Sequence, residues 1–324
     1  MSIASEAAMY RQHFGFRDQP FSIAPDPRYL YLSPQHQEAL GHLVYGVQTG
    51  GFILLTGEVG TGKTTVCRRL LETLPENVLV AYLVNPGLDE RELLESICDE
   101  FRIDRTPFAS NKELVDAINF FLLDAHAAGR NPILIIDEAQ TLAPEVLERI
   151  RLLTNLETTK RKLLQIILIG QPELRDLLAS RQLRQLSQRI TGRFHLAPLS
   201  RDEVYRYVSY RLKRAGVTRP LFSRRGLDLV HRYSRGIPRL VNIICDRSLL
   251  GAWCEDAAVV APRIVKKAAR EVLGPEAIKR VSRWWVALPA ILLLFGLVFA
   301  FGVQDLADWK DWWPTGSLNG APKP

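Results

Sequence analysis

Hydrophobic and polar positions divide the 324-residue chain into two regimes. In the first, short aliphatic runs at 52–56, 78–84, 133–136 and 164–170, and a last one near 194–196, are too brief for helices. They read as buried strands. Between them the apolar period lengthens to that of a helix. Examples are 66–74, the set Leu93, Leu94, Ile97 and Phe101 behind Asp89-Glu90, the set Leu114, Ile118, Phe121 and Leu122, then 145–156 and an arginine-rich stretch at 174–190. Strands alternating with helices predict a parallel α/β sheet covered on both faces. From 200 to 273 strand patterns disappear, which predicts a small α-helical second domain. The first 50 residues read as an extension, a loop punctuated by Pro20, Pro25 and Pro27, with a helix from near Pro34.

A different pattern follows at 284–303, where 20 residues pass without a charge. As a helix this stretch would be about 30 Å long, the thickness of a bilayer's hydrocarbon core. Lys279, Arg280 and Arg283 precede it, and Asp305, Asp308 and Asp311 follow. The positive-inside rule therefore predicts a single-pass anchor with a cytoplasmic N-terminal portion and a tail outside. The expected divisions are a nucleotide-binding domain with its extension (1–199), a helical lid (200–274), a basic linker (275–283), a membrane helix (284–303) and a short periplasmic tail (304–324). Composition adds little: 47% hydrophobic and 24% charged residues are ordinary for a folded chain. A net charge of +7 suits an anionic partner without selecting one. Four cysteines at 67, 98, 245 and 254 lack metal-ligand spacing and read as reduced thiols.

The candidate chemistry begins at Gly57-Glu58-Val59-Gly60-Thr61-Gly62-Lys63-Thr64-Thr65, which fits the phosphate-loop pattern G-x-x-x-x-G-K-[ST] between a strand and a helix. Its glycines let backbone N–H groups turn inward around a phosphate. Lys63 would meet the β/γ-phosphates, and the Thr64 hydroxyl would bind Mg²⁺. Asp137, ending a buried strand, can hold the same Mg²⁺, and Glu138 is placed to polarise an attacking water. Gln171, after the next strand, would reach the γ-phosphate from the side. Among the following arginines, Arg189 is the first choice for a finger into a neighbouring subunit's nucleotide, with Arg193 in reserve. Gly236-Ile237-Pro238-Arg239 opens a helix from which Arg239 would touch the γ-phosphate. ATP and Mg²⁺ are thus the expected cofactors.

These motifs, in this order, resemble those of AAA+ ATPases. HFGFRDQPFSIAPDPRYLYLS, GFILLTGEVGTGKTTVCRRLL, IRLLTNLETTKRKLLQIILIGQPELRDLL, LRQLSQRITGRFHLAPLS and SRGIPRLVNIICDRSLLGAW further resemble the general secretion pathway protein A (ExeA-like) family over about 9–274. The resemblance implies a P-loop sheet in the order 5-1-4-3-2 with a helical lid, and Asn85 as a polar partner of Glu138. It also implies an ATP-driven assembly role at the bacterial inner membrane, homo-oligomers, and a membrane partner of the GspB kind from a secretion or pilus system. Longer members carry a peptidoglycan-binding module after the membrane helix. This sequence stops at Pro324, so direct peptidoglycan binding is not expected. Two other readings are an ATPase similar to transposition regulators and a nucleotide-gated scaffold with little turnover. No nucleic-acid module or aromatic-interleaved basic stripe supports the former.

Overall fold

The computed structural model describes residues 10–24, 26–84, 87–104, 110–154 and 162–275. Five strands form the sheet: β1 (Phe52–Gly57), β2 (Val78–Leu83), β3 (Asn131–Ile136), β4 (Gln165–Gly170) and β5 (Ile190–Leu196). They lie in the order β2-β3-β4-β1-β5, and every neighbouring pair is parallel. This is the five-stranded parallel sheet expected from the sequence.

Strand alternation explains why these runs contain almost no polar residue. In β1, β3 and β4, Phe52, Leu54, Leu134, Ile136, Ile166 and Leu168 bury themselves on one face. Ile53, Leu55, Ile133, Ile135, Ile167 and Ile169 do so on the other. Both faces are dry because helices cover both, as a parallel sheet with crossover connections requires. One cover is α1 (Pro34–Thr49) with α2 (Lys63–Thr73). The other is made by α3 (Glu90–Glu100), α4 (Asn111–Ala127), α5 (Pro144–Leu153), α6 (Glu173–Leu178) and α7 (Arg184–Arg189). Capping boxes start α3 (Asp89 with Glu92) and α4 (Ser110 with Glu113), each satisfying backbone donors at the first turn.

The 174–190 stretch differs from a continuous helix. It breaks between Leu178 and Arg184, and β5 begins already at Ile190. The phase of its leucines explains the break. Nine residues of unbroken helix would point Leu183 opposite to Leu174. With the break, Leu174, Leu178, Leu183 and Leu186 all enter the same core.

Between Leu196 and Pro275 the named elements are helices: α8 (Arg201–Arg214), α9 (Arg224–Ser234), α10 (Pro238–Cys254) and α11 (Pro262–Leu273). The chain divides into two units, 1–268 and 269–324. Of the second, only the end of α11 and two residues beyond it are described. Among the described residues no helix is long and apolar enough to cross a membrane. The 284–303 segment, its basic flank and the tail lie outside them.

Sequence periodicity gave no destination for the N-terminal segment. Residues 10–24 lie against α8 and α10, forming a strap. Tyr10 Oη and Gln19 Nε2 donate to Asp246 on α10 at 2.5 and 3.1 Å, and Phe21 stacks edge-on against Phe222. Arg211 of α8 is 6% exposed, and among the described residues no carboxylate lies within ion-pair distance of it. Its guanidinium instead donates to the carbonyls of Pro20 (2.6 Å) and Ser22 (3.1 Å) and to Tyr207 Oη (2.8 Å). Its charge also lies over the rings of Tyr29 and Tyr207.

Candidate nucleotide site

The phosphate loop links the end of β1 to α2, and its backbone needs its glycines. Gly60 and Gly62 have φ of +82° and +107°. A Cβ on Gly60 would stand 2.6 Å from the Cβ of Arg239, and one on Gly62 2.7 Å from His36 Nε2. Gly62 also caps α2, and a glycine has no side chain to satisfy the helix's first N–H groups. That leaves donors and the positive end of the helix dipole facing outward, an anion site by construction.

Lys63 is 5% exposed, and its Nζ donates to the carbonyls of Gly57 (2.8 Å) and Glu58 (3.2 Å). Burial pulls its pKa below the ordinary lysine value, opposed by the charges of Glu138, Asp137 and Glu58. An ammonium held so poorly solvated gains a great deal from a phosphate oxygen. Thr64 Oγ1 donates to Asp137 Oδ2 at 3.2 Å, and Tyr82 Oη donates to the same oxygen at 3.2 Å. The paired hydroxyl and buried carboxylate fit Mg²⁺, which takes one or two protein oxygens and completes its shell with water and phosphate. Among the described residues no group of three or more His, Cys, Asp or Glu could hold a metal alone. Thr64 and Asp137 are the residues that would hold the ion.

Around this centre opens a cavity of about 450 Å³, large enough for a nucleotide. It gathers Val59–Thr65 and Glu138 from the sheet side and Pro238 and Arg239 from α10. Ser22, Tyr29 and Tyr31 from the N-terminal segment also line it, with Tyr207 and Arg211 behind them. The backbone N–H of Arg239 donates to the Gly60 carbonyl at 3.3 Å, so the start of α10 sits directly on the phosphate loop. The sequence reading thus placed Lys63, Thr64, Asp137, Glu138, Pro238 and Arg239 in one site, and the fold brings them together.

Glu138 follows β3 in the left-handed region, with φ +54° and ψ +36°, a conformation that costs a non-glycine residue about 1 kcal/mol. Its own N–H donates to Asp137 Oδ1, which orients the two carboxylates together. Gln171 stands at the end of β4 as expected, but its amide turns to Glu138 Oε2 at 3.1 Å rather than into the loop. Gln140 donates to the same oxygen at 2.6 Å. Burial pushes the Glu138 carboxyl up, but the two amides and the charge of Lys63 outweigh it and hold the pKa below the usual value.

Arg189 donates to the Arg151 carbonyl (3.3 Å) and Thr154 Oγ1 (3.0 Å), closing the C-terminus of α5. Arg193 is exposed and donates to the carbonyl and hydroxyl of Ser187 at 2.8 and 2.9 Å. Asn85 lies outside the described residues.

Three contributors escaped the motif reading: Gln140, Tyr82 and His36. His36 is buried on α1, and its Nε2 lies 3.0 Å from the Thr61 carbonyl while Nδ1 lies 2.6 Å from Ser33 Oγ. A carbonyl only accepts, so Nε2 carries the hydrogen. Burial keeps the ring's pKa below the ordinary histidine value, and at neutral pH it is a neutral brace for the loop.

Residues 47–178 match the AAA domain family. The general secretion pathway protein A of Aeromonas hydrophila is 51% identical over 291 residues, covering 88% of this chain. The chain spans 53% of that relative's length. Solved structures are similar in fold. Cdc6p from Pyrobaculum aerophilum aligns over 79% of this chain and 71% of its own, with a TM-score of 0.60 and 21% identity. Drosophila ORC bound to DNA aligns over 86% and 70%, with a TM-score of 0.61 and 19% identity. Residues 47–178 are an AAA ATPase domain with the P-loop fold, and the chain that carries it is a homologue of general secretion pathway protein A.

Proposed function

We propose that this chain hydrolyses ATP to drive assembly or regulation of a secretion or pilus system at the bacterial inner membrane, held there by 284–303 with its ATPase portion cytoplasmic. The observation that carries the system is the 51% identity over 88% of the chain to a protein named for the general secretion pathway. The chemistry is supported by the site. Lys63 and the α2 N-terminus bind and orient the β/γ-phosphates, and Glu138 takes a proton from the attacking water. Mg²⁺, when bound through Thr64 and Asp137, would neutralise charge on the phosphate oxygens. Because α10 rests on the phosphate loop through Arg239 and Gly60, turnover is coupled to the helical region, a route by which phosphate loss can move a partner. A membrane protein of the GspB kind is the proposed partner, and a homo-oligomer the proposed working form. In that oligomer Arg189 or Arg193 would complete a neighbour's site.

The test is capture of Glu138→Gln protein from detergent-solubilised native membranes with ATP present, followed by identification of what accompanies it. Secretion or pilus membrane proteins are the expected companions. DNA or transposition proteins in their place would leave the ATPase chemistry standing and overturn its assignment to secretion.

A further inference from the structure

Gln140 uses both ends of its carboxamide. Its Nε2 donates to Glu138 Oε2 at 2.6 Å, and its Oε1 accepts the backbone N–H of Gln171 at 3.0 Å. The Gln171 side chain returns to the same Glu138 oxygen at 3.1 Å. Three residues from the loops after β3 and β4 thus close a ring of hydrogen bonds. The geometry depends on Gly170: a Cβ there would stand 2.7 Å from Gln140 Oε1, so the missing side chain is where the carboxamide fits. The Glu138 backbone is fixed as well, since its carbonyl accepts from both the N–H and the hydroxyl of Thr141. Among the described residues, every hydrogen bond to the Glu138 carboxylate falls on Oε2.

We propose that Gln140 is a positioning residue for Glu138: with Gln171 it clamps Oε2, leaving Oε1 to receive the proton of the attacking water. The clamp also ties the base to the end of β4, so a shift of Gln171 is transmitted to Glu138 through two bonds. The proposal rests on the reading of Glu138 as the general base. A carboxylate swinging freely about its last torsion would offer its lone pairs to the water only part of the time. Two amides on one oxygen remove that freedom.

Two variants of the full chain in detergent separate this role from a structural one. Gln140→Met keeps the length and loses both polar ends. Gln140→Glu keeps an acceptor for the Gln171 N–H, hence the tie between loops, but sets a carboxylate against Glu138 instead of a donor. Both are expected to bind ATP within twofold of wild type with KM unchanged, and to lose about tenfold in kcat, part of the 10²–10⁴ that a general base supplies. Wild-type kcat in Gln140→Glu would show that only the loop tie matters and overturn the proposal. So would a loss of ATP affinity equal to the loss of turnover.

A second readout does not need turnover: the ¹⁵N-labelled side-chain amide of Gln171, followed at one fixed pH and assigned by its disappearance in Gln171→Met. The bond to Glu138 Oε2 should hold its two protons at separate shifts. Gln140→Met should move that signal, because the ring loses the member that joins both loops, and an unmoved signal would refute the clamp. A wild-type protein without turnover would defeat the ATPase reading alone, the amide signal still deciding the clamp.

Discussion

Arg211→Met tests whether the N-terminal strap is held by one buried cation. Methionine preserves the stem and most of the volume. It removes hydrogen bonds to Pro20, Ser22 and Tyr207 and the charge lying over Tyr29 and Tyr207. Two carbonyls lose a charged donor. The Pro20 carbonyl bond is fully buried, whereas that of Ser22 is partly open and can rehydrate. One stranded carbonyl costs about 1–3 kcal/mol, and the lost cation–π contact adds roughly 0.5–1 kcal/mol. The expected total is about 1.5–4 kcal/mol. Arg211→Lys should recover less than half, because a single ammonium cannot reach three acceptors in different directions. The assay is hydrogen exchange of the full chain. Peptides covering 10–24, including the Arg17 N–H bonded to the Ala215 carbonyl, should lose protection while the β1, β3 and β4 amides keep theirs. Nucleotide affinity should fall as well, since Ser22, Tyr29 and Tyr31 wall the cavity. A destabilisation below about 1 kcal/mol with unchanged exchange over 10–24 would refute the reasoning.

Lys63→Ala should weaken nucleotide binding at least tenfold in a fluorescent-nucleotide titration, and equal binding by both proteins would sink the phosphate-loop assignment. Glu138→Gln should retain ATP and lose turnover. Because the folded Glu138 pKa is depressed, its contribution to stability is present above the unfolded glutamate value and lost as pH falls through the folded one. The wild-type advantage over Glu138→Gln in chemical denaturation should therefore shrink on acidification and never grow. Gly236→Ala would put a Cβ 2.0 Å from the Leu199 carbonyl at a φ of +77°, and thermal unfolding should show a loss of about 2–4 kcal/mol. Arg189→Ala removes the α5 cap and should cost about 1–2 kcal/mol, unlike Arg193→Ala at an exposed site. Whichever of the two, inactive alone, regains ATPase activity when mixed with Glu138→Gln supplies the finger.

Much of the site was legible because its residues are tied to chain-local geometry. A glycine loop between a strand and a helix, and carboxylates ending an aliphatic run, carry their context with them. The sheet was legible because β1, β3 and β4 are buried on both faces and therefore apolar except near their ends. Gln140 was not, since a glutamine two residues after a carboxylate is an ordinary turn residue until β4 is laid beside β3. Gln171 was placed correctly along the chain, yet its rotamer depends on that neighbour. His36 sits on a helix face whose apolar stripe gives no hint that a histidine meets Thr61. The helix break at 179–183 was present in the leucine phase, though not in any glycine or proline. The strap was the least legible. Its aromatic residues announce burial, but nothing local says that they will meet Asp246 and Phe222.

That strap has a consequence for how the protein is made. Tyr10 and Asp246 are 236 residues apart, so the strap leaves the ribosome well before the helix that receives it. Contacts of such long sequence separation close late. At translation rates of about 5–20 residues per second, the aromatic strap waits on the order of 10–50 seconds with its seat unbuilt. The sheet and phosphate loop can assemble in that interval, but one wall of the cavity cannot. Nucleotide pocket completion thereby waits for α10 to be made. A nascent chain stalled before α10 would hold a phosphate loop that α10 and the strap have yet to wall in.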